Sequence, residues 1–439
     1  MAELEIDIEK IVAGGDGLAR HEGRVVFVPG TAPGERHRVR VQKQKKDYVK
    51  AISVERIETS PDRRSPPCPY YKSCGGCSLM HLKPEAQLEA KIGILREGLA
   101  RAFQAPYEGP FTVHSKEELH YRNRLRFHVV FSGGRPIAGF RRGQSHEVVD
   151  VERCLLGSPT LNETWGRIRR ALLERRPLAR SVVSVELEES TNEPGRIAAL
   201  FLVSSNHGLR SFETEEQRRE LLSELGLEGM VAAVSSDFGG GPGVRAGRPF
   251  VEHRVRDLTL RQSVGSFFQS NRFLLQELVD TVLRDASAEK TSRGLDLFSG
   301  VGLFSLPLSR KLSSVIGVET ESLALQDARE NAKRSAAVGG SRVRFVRSDA
   351  ASYLSRAKLS PEDFVILDPP RGGLAPELVQ AFGESPLRAF RYVSCDPPAL
   401  FRDALRLSAH GFAIESIALF DLFPNTHHFE TIAVFSRRS

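Results

Sequence analysis

The pattern of apolar and polar positions changes several times along this chain. Near the start, Leu4, Ile6 and Ile8 alternate with acids, and Val39 and Val41 alternate with Arg38 and Arg40. A period of two belongs to strands with one buried face. Gly14-Gly15-Asp16-Gly17 reads as a turn and residues 24–28 as another strand, so residues 1–60 are expected to form a small β-barrel. A proline-punctuated linker follows, from Ser60-Pro61 to Pro66-Pro67. Residues 84–103 take a helical period, with Leu88, Ile92, Leu95 and Leu99 on one stripe. From about 121 to 250 the pattern is mainly strands: a hairpin 124–131 and 136–141 around Ser132-Gly133-Gly134-Arg135, then 182–189 and 196–204, with short helices near 159–175 and 214–225. From about 270 the period changes again. An amphipathic helix (Leu274, Leu275, Leu278, Val279, Val282, Leu283) precedes apolar strands at 294–298, 314–318, 342–346, 364–367 and 389–394, separated by helices and closed by strands at 414–420 and 431–435. That alternation predicts a doubly wound, Rossmann-like α/β domain. The expected division is a barrel over 1–60, a β-rich central domain over 61–262 and the α/β domain over 263–439.

Composition narrows the partners. At 439 residues the chain can bury several cores, and its 40% hydrophobic content is ordinary. No apolar run approaches the ~20 residues of a membrane helix, and the acidic start Met1-Ala2-Glu3-Leu4-Glu5 does not resemble a signal peptide. A net charge of +7 favours a polyanionic partner. The basic run Arg36, Arg38, Arg40, Lys43, Lys45, Lys46 and Lys50 reads either as a phosphate-facing strand or as a solvated edge. Five cysteines, an odd number with no export signal, point to a reducing cytoplasm and to metal binding or catalysis.

Candidate chemistry collects at strand ends in the α/β domain. Asp296-Leu297-Phe298-Ser299-Gly300-Val301-Gly302 ends one strand and opens a helix. Glycines there let the backbone approach a ligand at the sheet's carboxyl edge. Glu319 ends the next strand and can accept both ribose hydroxyls of an adenosine, and Asp349 after the third can reach the adenine amine. These positions suit S-adenosylmethionine; helix-capping acids beside a generic glycine turn are the competing reading. Asp368-Pro369-Pro370-Arg371 follows the fourth strand and Cys395 the fifth. A lone strand-end cysteine is a small buried hydrophobe or a nucleophile, and its neighbours favour the nucleophile. The loop 421–430 supplies His427, His428 and Glu430 on the way to the last strand. Cys68, Cys74, Cys77 and Cys154 have a spacing suited to zinc or to an iron–sulfur cluster. Arg122, Arg124 and Arg126 alternate with Leu125 and Phe127, so one strand face is expected to carry three guanidiniums toward RNA, with a solvated face as the alternative.

Taken in order, the four cysteines, Phe267-Phe268-Gln269-Ser270-Asn271, the Asp-Leu-Phe-Ser-Gly-Val-Gly turn, Asp-Pro-Pro-Arg, Ser-Cys-Asp-Pro and Phe423-Pro424-Asn425-Thr426-His427-His428-Phe429-Glu430 resemble the RNA uracil-5-methyltransferase family over nearly the whole chain. The N-terminal unit resembles a TRAM domain, an OB-like RNA-binding barrel. The resemblance implies a class I methyltransferase fold, with the helical segment around 84–115 packing back on it. It implies that Cys395 adds to C6 of uracil and Glu430 removes the C5 proton. Asp368 and Arg371 would orient the base, and Gln269, Phe298, Gly300, Glu319, Asp349 and Asp368 would meet S-adenosylmethionine. It also tips the four upstream cysteines toward a [4Fe-4S] cluster. The expected substrate is ribosomal RNA, with transfer RNA as the alternative; a monomer is expected. A protein that only binds or folds RNA has no need of both Cys395 and Glu430, and a base-amine methyltransferase has no use for the thiol. The chain departs from the family in two places: Asp396 stands where Asn is usual, adding negative charge beside the thiol, and Leu303 stands where relatives often offer a polar contact to the cofactor.

Overall fold

The computed structural model describes residues 3–235, 243–287, 289, 291, 293–337 and 343–438. The alternating N-terminal segment forms β1 (Glu3–Asp7), β2 (Lys10–Ile11), β3 (Asp16–His21), β4 (Arg24–Pro29), β5 (Arg36–Gln44) and β6 (Tyr48–Glu58). Their order is β1-β5-β6-β4-β3-β2. Ile6, Val26, Val28, Val39, Val49 and Ala51 supply its core. On the other face of β5 the arginines are partly exposed and paired with acids. Arg36 pairs with Asp7 and Glu58, Arg38 with Glu5 and Glu55, and Arg40 with Glu3. The period that exposes arginines on β5 exposes acids on β1, and the register sets Glu3, Glu5 and Asp7 opposite Arg40, Arg38 and Arg36.

The linker is tied down on both sides. Arg63 donates to both carboxylate oxygens of Glu35 (2.5 and 2.7 Å), and Arg64 donates to both of Glu118 (2.7 and 2.5 Å). Next comes α1 (Pro84–Phe103), whose buried positions are Gln87, Lys91, Leu95 and Leu99. Leu95 and Leu99 join the core of the C-terminal domain. Gly98 permits the close approach, since a Cβ there would lie 1.9 Å from the ring of Phe401. The helix ends at Phe103, as its period predicts, with Gln104 (φ 54°) as its cap, and does not run on to 115. The chain continues as β7 (Phe111–His114), an edge strand of the C-terminal sheet that was not anticipated.

The central domain is a mixed sheet of β8 (Arg124–Ser132), β9 (Arg135–Arg141), β10 (Val148–Asp150), β11 (Val182–Glu189), β12 (Ile197–Val203), β13 (Gly229–Val234) and β14 (Val244–Gly247). Its order is β10-β9-β8-β11-β12-β13-β14. Helices α2 (Pro159–Glu174), α3 (Arg176–Ser181) and α4 (Glu215–Leu225) contribute to its core, where Trp165 stacks on Phe127 at 3.7 Å. The hairpin of β15 (Phe250–Val255) and β16 (Leu258–Ser263) leads into α5 (Leu275–Val282).

The C-terminal sheet comprises β17 (Gly294–Leu297), β18 (Val315–Glu319), β19 (Val343–Arg347), β20 (Phe364–Leu367), β21 (Ala389–Ser394), β22 (Phe412–Phe420) and β23 (Glu430–Arg437), together with β7. The strand order is β19-β18-β17-β20-β21-β23-β22-β7. The third predicted strand begins at 343, and its expected first residue, 342, lies outside the described residues. Strands β19 to β21 run parallel and β23 runs antiparallel beside β21. The helices α6 (Ser305–Leu308), α7 (Ser322–Ala337), α8 (Ala350–Leu354), α9 (Pro376–Glu384) and α10 (Pro397–Ser408) complete the domain. Two apolar layers cover the sheet, one drawing on α5 to α7 and the other on α1 and α8 to α10. The strand order reverses between β17 and β20, which is where such sheets hold ligands.

Candidate active site

At the reversal point β17 stops one residue before the expected 298. Phe298 adopts φ 74°, a costly conformation for a residue with a side chain, and Gly300 follows at φ 53°. A Cβ added at Gly300 would meet nothing within 4 Å, so the turn faces open space. Glu319, at the tip of β18, accepts hydrogen bonds from the amides of Gly300 (2.8 Å), Thr320 (2.7 Å) and Glu321 (2.8 Å). It therefore holds the glycine turn to its own strand. Asp349 is exposed and caps α8, accepting from the Ser352 amide at 2.8 Å. Gln269 is buried at 4% exposure in the loop after β16. That loop is fixed by Asn123 donating to the Ser270 carbonyl (3.0 Å) and by Asn271 donating to the Leu422 carbonyl (2.9 Å). Leu303, the second departure, packs in the apolar core.

The same edge gathers acids. Asp296 accepts from the Ser305 hydroxyl at 2.5 Å, leaves its other oxygen without a partner, and is pushed by burial up to about 7. Asp368 is likewise pushed up to about 7, by burial first and then by Asp296 and Glu319. The unpartnered buried atoms Asp296 Oδ1, Ser299 Oγ, Glu430 Oε1 and Thr431 Oγ1 all belong to strands or turns at this edge. A polar ligand with several donors and acceptors, such as an adenosyl amino acid, suits that set.

The ladder between β21 and β23 brings the two ends of the reaction site together. The ladder ends with Ser394 opposite Thr431, so Cys395 and Glu430 flank its last pair, near enough for the Glu430 charge to act on the thiol. The thiol is half-buried. Burial pushes its pKa up to about 11, with Glu430 and Asp368 adding to the rise, Arg371 opposing it, and Asp396 adding a smaller push. The carboxylate of Asp396 caps α10, accepting from the Ala399 amide at 3.1 Å. Glu430 is 2% exposed. Burial, and then Asp368, hold its carboxyl well above the ordinary range, while exposed Arg371 works against them.

The four upstream cysteines line one cavity of about 120 Å³, together with Tyr70, Met80 and Arg122. No group of three or more His, Cys, Asp or Glu side chains among the described residues is arranged for a single metal ion. Of the three arginines expected on one open face, Arg126 is exposed and Arg122 and Arg124 are not. Arg122 faces this cavity, and its Nε is buried without a partner. Arg124 donates to Glu186 at 2.7 Å and to the Ser266 carbonyl at 2.9 Å, with Glu188 3.5 Å away. The register sets β8 against the glutamates of β11, which alternation along β8 alone does not reveal.

Sequence reasoning missed the residues that join these parts. Lys91, fully buried, donates to Asp421 (2.6 Å) and to the Phe423 carbonyl (3.1 Å). Gln87, one turn earlier, bonds Asn425. The signal was present in α1, where two polar side chains continue the buried stripe of Leu95 and Leu99 at i, i+4 spacing.

Comparison with known proteins defines the class. Residues 247–438 match the family described as tRNA (Uracil-5-)-methyltransferase, and residues 2–54 match the TRAM domain. The chain is 35% identical to an uncharacterized RNA methyltransferase of Aquifex aeolicus, covering 98% of each protein. It is also 35% identical to the 23S rRNA (uracil(1939)-C(5))-methyltransferase RlmD of Chromohalobacter salexigens, over 98% of this chain and 89% of that one. Its fold matches the crystal structure of Pyrococcus abyssi tRNA (uracil-54, C5)-methyltransferase in complex with S-adenosyl-L-homocysteine, with a TM-score of 0.76 and 25% identity over 98% of this chain and 99% of that one. The chain is thus an S-adenosylmethionine-dependent RNA methyltransferase with a TRAM domain, a central β domain and a Rossmann-like catalytic domain. It belongs to the RNA uracil-5-methyltransferase family and acts at C5 of uracil. Among the described residues no helix is long and apolar enough to cross a membrane.

Proposed function

We propose that this enzyme methylates a uridine of 23S ribosomal RNA, with Cys395 as nucleophile and Glu430 as base. The observation that carries this reading is that the β21–β23 ladder ends with Ser394 opposite Thr431, the residues adjoining Cys395 and Glu430. The ribosomal assignment is supported by full-length relatives such as the Chromohalobacter enzyme, at 35% identity, against 25% for the transfer-RNA enzyme.

Uracil C5 is a weak nucleophile. Addition of the Cys395 thiolate to C6 forms a carbon–sulfur bond and moves the ring's electron pair toward C5. S-adenosylmethionine, when bound, supplies the electrophilic methyl carbon that C5 takes up. Glu430, as carboxylate, then accepts the C5 proton; that electron pair re-forms the C5–C6 bond and expels the thiolate. Its raised pKa suits a base that must hold a proton once it has taken one. Gly300, Glu319, Asp368, Gln269, Phe298 and Asp349 are assigned to the cofactor, an assignment supported by the Glu319 carboxylate bonding the Gly300 amide at the strand-order reversal. The target base must leave its stack to reach a half-buried thiol, which favours loops over duplex.

Cys68, Cys74, Cys77 and Cys154 are assigned to a [4Fe-4S] cluster whose contribution is a rigid cross-link between the linker segment and the central domain. Anaerobically purified protein is expected to be brown with about four irons per chain; a colourless protein carrying one zinc refutes the cluster. For the reaction, 5-methyluridine is mapped in ribosomal and transfer RNA from a strain lacking the gene. Loss from 23S RNA, restored by wild type and not by Cys395→Ala, is expected. Loss from transfer RNA alone moves the substrate, and restoration by Cys395→Ala removes the nucleophile.

A further inference from the structure

Asn425 sits five residues before Glu430 in the loop that delivers the base. It is 0% exposed and holds φ 68°, a left-handed conformation that asparagine tolerates better than most residues. Its hydrogen bonds reach four other segments. The Asn425 amide donates to Gln87 Oε1 (2.7 Å), and its Oδ1 accepts from Gln87 Nε2 (3.1 Å) and Arg64 Nη2 (2.9 Å). Its Nδ2 donates to the Glu118 carbonyl (2.8 Å). Its carbonyl accepts from the amides of Ser78 (3.1 Å) and Leu79 (3.0 Å), the two residues after Cys77. Ser78 reaches further along the loop: its hydroxyl accepts from the His427 amide (2.9 Å) and lies 3.0 Å from His427 Nδ1. The cysteine segment is anchored in turn to the other domains. The Gly75 amide donates to the Arg141 carbonyl (2.9 Å), and Tyr71 and His81 link through to the Thr31 carbonyl.

We propose that Asn425 is a positioning residue through which the cysteine-bearing segment sets the place of Glu430. The inference rests on the reading of Glu430 as the base. A base displaced by about 1 Å loses on the order of a hundredfold in rate, while attack by Cys395, on the neighbouring strand β21, is spared. The cost then falls on proton removal, and the protein–RNA adduct outlives its normal span. Asn425→Gly keeps the backbone angle and removes only the side-chain bonds. Its turnover is expected to fall at least about tenfold, with the KM for RNA and cofactor affinity within about twofold of wild type. Adduct formation on 5-fluorouridine RNA should persist, and a denaturant-stable adduct should accumulate on ordinary RNA. Asn425→Asp, which keeps both acceptor bonds, should lie between the two. Gln87→Leu, which removes the partner of both the Asn425 amide and its Oδ1 while leaving the loop sequence intact, should show the same accumulation if Asn425→Gly fails to fold. Wild-type turnover in Asn425→Gly, or parallel loss of adduct formation and cofactor binding, overturns the inference alone. Absence of any adduct in the wild-type protein removes the reading of the reaction on which it rests.

A separate observation lies in the central domain. A cavity of about 450 Å³ is lined by Arg176, Arg180, His207, Ser181, Ser204 and Ser205, with no carboxylate among its lining residues. Arg176 and Arg180 are one turn apart on α3, where like charges repel. Neighbouring Arg175 is neutralised by Glu224. The guanidinium of Arg180 rests over the Phe131 ring at 4.9 Å, which steadies it while leaving its N–H edges free. The Ser181 hydroxyl donates to the Pro177 carbonyl at 2.8 Å, and the two guanidiniums, the imidazole and the hydroxyls of Ser204 and Ser205 suit phosphate oxygens. We infer that this cleft takes the RNA backbone at a point remote from the target uridine, given that the substrate is RNA. Arg176→Glu/Arg180→Glu is compared with wild type by RNA binding across a salt series. The log–log salt slope is expected to fall by about 1.5–2 and the KM for long RNA to rise, with kcat on a short target hairpin unchanged. An unchanged slope and affinity overturn the assignment, as does a loss of slope seen equally on the short hairpin.

Discussion

The thiol of Cys395 is held neutral at physiological pH by its surroundings. Burial, Glu430 and Asp368 push it up to about 11, and Arg371 is the cation that opposes them. A thiol titrating that high gains about tenfold in thiolate for each pH unit over the whole range below its pKa. Alkylation of the Cys395 peptide by iodoacetamide, followed by mass spectrometry on the ligand-free enzyme, should therefore climb roughly a hundredfold from pH 7 to pH 9. Arg371→Ala should displace the curve to higher pH, and Asp396→Asn should displace it slightly to lower pH, because Asp396 is the smallest of the named contributors. A plateau already reached at pH 8 would show that the acids do not act on this sulfur. The departure at 396 is thus a minor charge penalty coupled to a structural gain, the cap on α10.

Elements with a long, consistent period were legible. The helix at Pro84–Phe103, the hairpin of β8 and β9, and the five parallel strands carry their pattern in their own residues. What failed depended on a neighbour. The strand β7 is only four residues long, too short for a period, and it exists because β22 offers it an edge. The arginines of β5 and Arg124 of β8 look cationic along one strand, yet acids across the ladder pair with them, while Arg126 stays exposed. Alternation predicts which face a side chain takes and leaves the opposing partner to register. That 296–302, 368–371 and 395 share one edge was legible for a related reason: a parallel sheet puts every strand's carboxyl end on one edge, so order along the chain becomes proximity in space. The clamp around Asn425 was not, because its partners come from four segments with no shared period.

Across the whole molecule, a net charge of +7 does not by itself say where RNA lies. Many arginines are spent inside the protein, on Glu35, Glu118, Glu186 and the acids of β1. Lysines at the β5–β6 tip are not: Lys43, Lys45 and Lys46 are exposed and have no ion-pair partner among the described residues. Half-exposed aromatics lie near that tip, with Tyr48 edge-on to Phe27 at 5.9 Å. A flexible cluster of unpaired ammoniums beside aromatic rings is the part of the barrel best suited to an RNA strand, and each contact it makes should release counterions. Replacing Lys43, Lys45 and Lys46 with alanine is expected to lower the salt slope of RNA binding by roughly 2–3. Arg38→Ala, which removes a charge already matched by Glu5 and Glu55, should leave the slope near its wild-type value with little effect on stability. Titrating one RNA fragment at several salt concentrations separates the two variants. An equal drop in both would mean that the arginine ladder opens to phosphate on binding, and no drop in the lysine variant would move the barrel's RNA contact to another face.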